Sequence, residues 1–171
     1  FVAGADIRFF VKNMKARALE NIVAFTKYGQ VVFDRIDHSA KRVVALLDGL
    51  ALGGGLELAL CADLLLATPK ASMAFPETGI GIYPGLGGTQ RTANKVGKGL
   101  AKYLILTGKM LTAAEAAEIG LVDAVISHDE LFDLLDGKTA LPQAAQPAPD
   151  GKWAALEDLY ERNRFSAIVG G

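Results

Sequence analysis

The chain has 171 residues, of which 18 are Lys or Arg and 19 are Asp or Glu, so its formal net charge is -1. A chain of this length can bury about two thirds of its unfolded surface, which predicts one compact domain and excludes disorder as its main state. The near-neutral charge gives no reason to expect nucleic-acid binding. The single cysteine, Cys61, excludes an intrachain disulfide and a four-cysteine zinc site, and favours a reducing, cytoplasmic setting.

No membrane segment is expected from the hydropathy pattern. The most apolar stretch, residues 46–68, is interrupted by Asp48, Glu57, Asp63 and three consecutive glycines. The start of the chain lacks the basic and apolar regions of a signal peptide, so none is expected there. The first residues form an apolar run that leads directly into a Gly-Ala-Asp turn, which suggests that the chain begins in the middle of a fold.

The first half of the chain predicts a long helix followed by short buried strands. Apolar residues at helical spacing indicate an amphipathic helix within residues 16–36. The continuous apolar run 42–47 is typical of a strand buried on both faces. Glycines 53–55 then predict a turn into a helix over residues 56–62. Two further apolar strands are predicted at residues 64–67 and 72–75.

The second half of the chain also predicts helices and a strand separated by loops. Pro76 and Pro84 frame a glycine-rich loop at residues 78–88, and a helical region over residues 89–106 is broken near Gly97. Thr112 and Glu115 have the spacing of a capping box, which starts a helix that Gly120 ends. The predicted segments that follow are a strand at 121–126, a mobile Pro- and Ala-rich linker at 137–151, and an amphipathic helix at 152–165.

Strands that alternate with helices predict an α/β fold with mostly parallel strands. We divide the chain into a core at residues 1–136, the linker at 137–151 and a helical tail at 152–171. The fold class alone names no reaction.

The glycine-rich loops do not match the common phosphate-binding motifs. The dinucleotide fingerprint needs glycines at fixed spacing, and Gly85, Gly87 and Gln90 break that spacing. No Gly-Lys-Ser/Thr follows either glycine run, which excludes a P-loop. For residues 85–88, close packing of the backbone at a turn remains an equally good explanation.

The first glycine loop favours oxyanion binding. Where glycines lead from a buried strand into a helix, the first N–H groups are free and the helix dipole adds positive potential. Gly54 is the candidate donor, because no side chain keeps a substrate carbonyl from its main chain. The segment Gly4-Ala5-Asp6 is the candidate source of a second N–H.

Two carboxylates stand in apolar surroundings. Glu57 lies in an otherwise apolar helix, where an isolated charge is costly to bury without a partner or a purpose. Glu77 follows an apolar strand and has no base beside it. If both reach one pocket, their pKa values rise and suit proton transfer near neutral pH. The residues alone leave a second interpretation open, in which Glu57 only satisfies the helix dipole and Glu77 is a loop acid.

Other reactive side chains are weaker candidates. His38 and His128 are flanked by charged residues and are expected to be solvated, and Cys61 is expected to be a small buried apolar residue. No serine stands in the Gly-x-Ser-x-Gly context of a hydrolase nucleophile.

Three blocks of sequence resemble the crotonase (enoyl-CoA hydratase/isomerase) superfamily. They are FVAGADI at residues 1–7, LALGGGLELA at 50–59, and PET at 76–78 with YPGLGGTQR at 83–91. A fourth block, LTG at 106–108 with residues 113–122, resembles the helix before the family's last core strand. The resemblance implies a crotonase-like fold of stacked ββα units whose N-terminal part is missing from this chain.

The resemblance also implies residue roles. The N–H groups of Ala5 and Gly54 match the oxyanion hole that binds the thioester carbonyl of an acyl-CoA. Glu57 and Glu77 match the two catalytic glutamates of the hydratases, which hold one water between them. Glu57 then takes a proton from that water, and Glu77 delivers a proton to the α-carbon.

Further positions match substrate-binding residues of the family. Ala3, Ala5 and Ile7 match the backbone stretch that holds the CoA adenine, and Gly85 matches a glycine beside the catalytic water. No metal and no cofactor is implied, since coenzyme A is part of the substrate. Ala74-Phe75 and Tyr83 depart from the common family pattern, which leaves the acyl-chain preference open.

Several functions remain compatible with the resemblance. The presence of Glu57 favours an enoyl-CoA hydratase of fatty-acid or related acyl-CoA degradation. The alternatives are an enoyl-CoA isomerase, a 3-hydroxyacyl-CoA hydrolase, or a non-catalytic paralogue that forms oligomers or binds RNA. The family's habits imply a homotrimer or a dimer of trimers, and the C-terminal region resembles modules fused to 3-hydroxyacyl-CoA dehydrogenases.

Overall fold

The computed structural model describes residues 1–144 and 149–162. The helices in these ranges are α1 (Ile7–Lys15), α2 (Leu19–Asp37), α3 (Gly54–Ala59), α4 (Gly88–Val96), α5 (Lys98–Thr107), α6 (Ala113–Glu118), α7 (His128–Leu135) and α8 (Gly151–Arg162), with a 3₁₀ helix at Pro76–Ile80. The strands are β1 (Val44–Leu47), β2 (Leu50–Leu52), β3 (Leu64–Ala67), β4 (Ser72–Ala74), β5 (Leu111–Thr112) and β6 (Ala124–Val125).

The strands form two small sheets of three strands each. One has the order β1-β3-β6 with all strands parallel, and Val44 pairs with Leu64. The other has the order β2-β4-β5, in which β2 and β4 are parallel and β5 runs antiparallel to β4. The predicted α/β arrangement with mostly parallel strands is therefore confirmed. All four residues of the central strand β3 are buried, as its uninterrupted apolar sequence requires.

One hydrophobic cluster joins both sheets to the helices that follow them. It contains residues from β1, β2, β3 and β4 together with buried faces of α3, α5 and α6. A smaller cluster of Leu64, Leu66 and Ile126 lies on the other face of the first sheet, under α7. Because the larger cluster lies directly behind the turn between β2 and α3, it provides a rigid base for that turn.

Helix α8 packs along α5 and completes the larger cluster. Trp153 is 3% exposed, and its indole Nε1 donates a hydrogen bond of 2.7 Å to Glu118 Oε2. The Glu157 carboxylate accepts hydrogen bonds from the amides of Gly99 and Leu100 in the first turn of α5. A Cβ on Gly99 would lie 2.1 Å from the Glu157 carbonyl oxygen, so only glycine lets the two helices approach this closely.

Most of the predicted elements are confirmed. Helix α2 accounts for the periodicity of residues 16–36, and the region after the glycine loop forms two helices broken at Gly97, which has a φ of +91°. Thr112 and Glu115 form the predicted capping box. The predicted strand at 121–126 is shorter than expected, because only Ala124–Val125 pairs with β3.

Within the described residues, the elements that were not predicted from the sequence are α1, β2, β5, α7 and the 3₁₀ helix at Pro76–Ile80. The Asp6 side chain caps α1 by accepting from the Arg8 amide at 2.9 Å, and the Ser127 capping box starts α7. Strand β2 follows β1 after only two residues, in a stretch before the predicted glycine turn for which no element was predicted. The helix predicted at 56–62 starts two residues earlier and ends at Ala59.

The C-terminal predictions are tested only in part. Residues 138–144 and 149–150 lie outside regular elements, while 145–148 of the predicted linker and 163–165 of the predicted helix lie outside the described residues. The division into core, linker and tail stays a prediction. Within the described ranges, no helix combines the length and the apolar character needed to cross a membrane.

Replacing Trp153 by Ala is expected to destabilise the fold by about 3–5 kcal/mol, because it removes a buried aromatic side chain and leaves the Glu118 carboxylate without its indole donor. Leu159→Ala on the same helix removes a side chain that is 52% exposed, and a change within about 0.5 kcal/mol is expected. Urea unfolding of both variants measures the difference. Equal losses would contradict the packing described for α8.

Candidate active site

The candidate site is built around the turn from β2 into α3. Gly53 caps α3 with a φ of 50° and a ψ of -123°, a conformation that disfavours any residue with a side chain. A Cβ at Gly53 would lie 2.5 Å from Glu77 Oε1, so Gly53 also leaves the space that this carboxylate occupies. Both the backbone conformation and the nearby Glu77 side chain therefore require a glycine at position 53.

The structure brings Ala5, Gly54 and Glu57 together. The position that a Cβ of Gly54 would take is 3.8 Å from the Ala5 amide nitrogen and 4.0 Å from Glu57 Oε2. The segment that carries Ala5 runs beside β2, where the Leu52 amide donates to the Val2 carbonyl at 3.0 Å. A Cβ at Gly55 would lie 2.0 Å from that same carbonyl oxygen, so this glycine allows the N-terminal segment to approach α3.

The two amides proposed to bind an oxyanion are available. Gly54 is the first residue of α3, and its N–H is one of those that a helix leaves without an internal acceptor. Within residues 1–144 and 149–162, neither Gly54 N nor Ala5 N donates a hydrogen bond. Together with the nearby carboxylate, this arrangement can polarise a carbonyl next to a group that moves protons.

Glu57 is 2% exposed and is held by the backbone of a distant loop. Its Oε1 accepts hydrogen bonds from the Leu86 amide at 2.7 Å and from the Gly88 amide at 2.8 Å. Burial raises the pKa of this carboxyl above its ordinary value, and the two amide hydrogen bonds oppose the rise. Oε2 points to the Gly54 side, where the amides lie.

Glu77 lies in the 3₁₀ helix that follows β4. Burial, with a smaller contribution from the neighbouring Glu57 carboxylate, raises its pKa from 4.5 to about 7. Its Oε2 is buried and has no hydrogen-bond partner among the described residues. A partly buried carboxyl with a free oxygen and a pKa near neutrality can carry a proton for transfer.

The expectation that Glu57 and Glu77 share one pocket agrees with this geometry. Gly53 contacts Glu77 and the adjacent Gly54 lies near Glu57, so the two side chains flank the same turn. The alternative, in which each acid has only a structural role, leaves the buried Glu77 Oε2 without a hydrogen-bond partner among the described residues. The catalytic roles of both residues stay a prediction.

The remaining predicted site residues lie around this centre. Ala3 is exposed, and Ile7 is the first residue of α1 and is 56% exposed. Gly85 directly precedes Leu86, and its carbonyl accepts a hydrogen bond from Gln30 Nε2 at 2.8 Å. Their roles in binding the substrate stay predictions.

The residues that hold Glu57 were not predicted from the sequence. Leu86 and Gly88 act through backbone amides, which no side-chain pattern reveals. The signal that was present is the glycine pair at the start of α4, since a helix start offers free amides and glycine allows close approach. A Cβ on Gly88 would lie 2.7 Å from Glu57 Cγ, which shows how closely the carboxylate packs there.

The weaker candidates lie outside the centre or have structural roles. The His38 side chain contacts Asp34, the His128 side chain contacts Asp48, and both imidazoles are exposed. Burial raises the pKa of Cys61 to about 11, and its Sγ donates to the Glu57 carbonyl at 3.2 Å, as expected for an unreactive thiol. Among the described residues, Asp34, Asp37 and His38 form one exposed group of metal-type ligands on α2 and at its end.

Comparison with known proteins decides the family. The model of the enoyl-CoA hydratase/isomerase family matches residues 1–145 of the chain. The chain belongs to this family. A crotonyl-CoA hydratase from Syntrophomonas wolfei is 47% identical over 132 residues, which are 77% of this chain and 49% of that protein. The family predicted from the sequence resemblance is thus confirmed.

Two further relatives of the enoyl-CoA hydratase/isomerase family extend this comparison. The fatty acid oxidation complex subunit alpha of Psychrobacter sp. is 42% identical over 131 residues, covering 77% of this chain and 18% of the subunit. The crystal structure of an enoyl-CoA hydratase from Thermoplasma volcanium matches 94% of this chain and 68% of its own with a TM-score of 0.72 and 33% identity. The predicted crotonase-like fold is confirmed, and the chain spans about half the length of the crotonyl-CoA hydratase it matches.

The raised pKa of Glu77 predicts a pH-dependent stability. Because the folded state holds this proton more tightly than the unfolded chain, the stabilisation is complete below about pH 4.5 and is lost as the pH rises through about 7. Glu77→Gln stays neutral, so above pH 7 it should be more stable than the wild type by up to about 3 kcal/mol. Urea unfolding at pH 4.5, 6 and 8 measures the difference in the free energy of unfolding between the variant and the wild type. A difference that does not change with pH would contradict the assigned pKa.

Proposed function

We propose that the protein carrying this chain is an enoyl-CoA hydratase, which adds water reversibly to a trans-2-enoyl-CoA and gives the 3-hydroxyacyl-CoA. The observation that supports this most directly is the convergence of the Ala5 amide, Gly54 and the Glu57 carboxylate, with Glu77 on the other side of the same turn. Membership of the family and the similarity to a crotonyl-CoA hydratase favour the same reaction.

The two amides have the task of polarising the thioester. Negative charge develops on the thioester oxygen when water attacks the β-carbon, and donors fixed before the reaction stabilise it without reorganising. The Ala5 and Gly54 N–H groups form the proposed oxyanion hole. The dipole of α3 strengthens the Gly54 N–H as a donor. Neither N–H group donates to another acceptor in the described chain.

The two glutamates divide the proton transfer. Glu57, whose Oε1 is fixed by two amides, takes the proton of the attacking water with its other oxygen. Glu77, whose pKa is about 7, delivers a proton to the α-carbon. The O–H bond of water breaks, the new C–O bond forms at the β-carbon, and the α-carbon gains a C–H bond. The pair begins and ends with one proton, which makes the reaction reversible at the same site.

The remaining assignments are also proposals. Ala3, Ala5 and Ile7 would hold the CoA adenine and Gly85 would contact the water, as the sequence resemblance implies. The chemistry described for the two glutamates and two amides requires no metal or cofactor. We propose a trimeric or hexameric assembly in the cytoplasm. The similarity to a fatty acid oxidation complex subunit supports association within a complex, and the sequence resemblance implies a 3-hydroxyacyl-CoA dehydrogenase as the partner.

Replacing either glutamate by glutamine tests the reaction. In the complete protein, Glu57→Gln and Glu77→Gln should each lower the rate of crotonyl-CoA hydration by about 10²–10⁴-fold, because each removes one proton-transfer group. The loss of enoyl absorbance measures the rate. Glu20→Gln makes the same chemical change at an exposed position on α2 and should leave the rate unchanged.

Wild-type rates in both glutamine variants would contradict the assignment. Release of free thiol from a 3-hydroxyacyl-CoA, followed with a thiol reagent, would instead indicate a hydrolase. A shift of the double bond without uptake of water would indicate an isomerase.

The pH dependence of hydration tests the shared proton. Above pH 7 the Glu77–Glu57 pair loses its proton, so kcat/KM for hydration should fall about tenfold per pH unit, with an apparent pKa near 7 that belongs to the pair. Initial rates from pH 5 to pH 9 measure this profile. A flat profile between pH 7 and pH 9 would contradict the role of Glu77 as the proton donor.

A further inference from the structure

The orientation of Glu57 depends on three consecutive residues far away in the chain. Leu86 and Gly88 both donate their amides to Glu57 Oε1, and Gly87 lies between them with a φ of +101°. A short glycine-rich loop has few contacts of its own, so both amides can stay on one oxygen only if something else fixes the loop. The source of that rigidity is a separate structural question from the chemistry of the acid.

Arg91 makes the required contacts. Its Nη1 donates to the Leu86 carbonyl at 2.9 Å, and its Nε donates to Asp37 Oδ2 at 3.1 Å. The guanidinium lies against Gly87, because a Cβ there would be 2.1 Å from Nη1. The side chain of Arg91 is only 14% exposed, although it carries a permanent charge. One side chain thus joins α4, the loop and the last residue of α2.

We propose that Arg91 is a positioning residue for catalysis, which fixes the Leu86 carbonyl to the end of α2 and thereby keeps the Leu86 and Gly88 amides on Glu57. This inference rests on the proposed hydratase function for its kinetic consequence. Its structural part, the fixing of the loop by Arg91, is independent of the reaction. Arg91 does not contact the substrate in this account.

The planar guanidinium is required for this role. Its nitrogens point in fixed, different directions, so that Nη1 can reach the loop while Nε reaches Asp37. A lysine ammonium is a single point of charge at the end of a flexible chain and cannot span both acceptors in this way. Gln30, which also lies on α2, donates to the adjacent Gly85 carbonyl at 2.8 Å. The Leu86 carbonyl accepts from Arg91 instead.

The test compares Arg91→Lys and Arg91→Met with the matched control Lys95→Met in the complete protein. Lys95 lies on the same helix, pairs with the buried Asp123 at 2.9 Å and does not contact the loop. Two quantities are measured: kcat and KM for crotonyl-CoA, and the hydrogen-exchange rates of the Leu86 and Gly88 amides. Thermal unfolding of each variant reports its global stability.

Both Arg91 variants should lower kcat by about 10- to 100-fold with KM changed less than about twofold, because misplacing Glu57 affects the reaction more than binding. Exchange at Leu86 and Gly88 should become at least tenfold faster. Lys95→Met should keep both kcat and the exchange rates even where it lowers the unfolding temperature. If Arg91→Met does not fold, the kcat and exchange rates of Arg91→Lys alone test the inference.

Wild-type kcat together with slow exchange in Arg91→Lys would overturn the inference, since charge alone would then be sufficient. Fast exchange with unchanged kcat would overturn the catalytic part of it. If the wild-type protein does not hydrate crotonyl-CoA at all, the proposed function fails, and the exchange rates still decide whether Arg91 fixes the loop.

Discussion

A carboxylate removed from water must receive hydrogen bonds from the protein, and Glu57 receives them from two backbone amides on one oxygen. The other oxygen is thereby left on the side of Gly54 and Ala5. Gly54 and Glu57 are three residues apart in α3 and therefore lie on one face of that helix. This single constraint places a proton acceptor beside a pair of free amides, and the remaining features of the site support it.

Glycine is what allows the backbone to come this close. A side chain at Gly53 would collide with Glu77, one at Gly55 with the Val2 carbonyl, and one at Gly88 with Glu57. These three positions bring together the turn after β2, the N-terminal segment and the start of α4. The apolar cluster behind them holds the elements rigid, so the carboxylates remain in place while their burial raises both pKa values.

The sequence predicts the parts of this site that carry a local signal. Glu57 and Glu77 were recognisable as acids in apolar surroundings, and Gly54 as the start of a helix after a buried strand. The donors to Glu57 were not predictable in the same way, because Leu86 and Gly88 act through the main chain and lie 29 and 31 residues away. Strand β2 was missed because three residues give too short a pattern, and α1 because its cap, Asp6, has no Glu or Gln three residues later to complete a capping box.

The most direct measurement is a crystal structure of the complete protein with a saturated acyl-CoA such as butyryl-CoA, which binds but cannot add water. The thioester oxygen is expected to lie about 2.7–3.1 Å from the amide nitrogens of both Ala5 and Gly54. The β-carbon is expected to lie between the carboxyl groups of Glu57 and Glu77. A thioester oxygen that contacts neither amide, or a β-carbon remote from both carboxyl groups, would contradict the account.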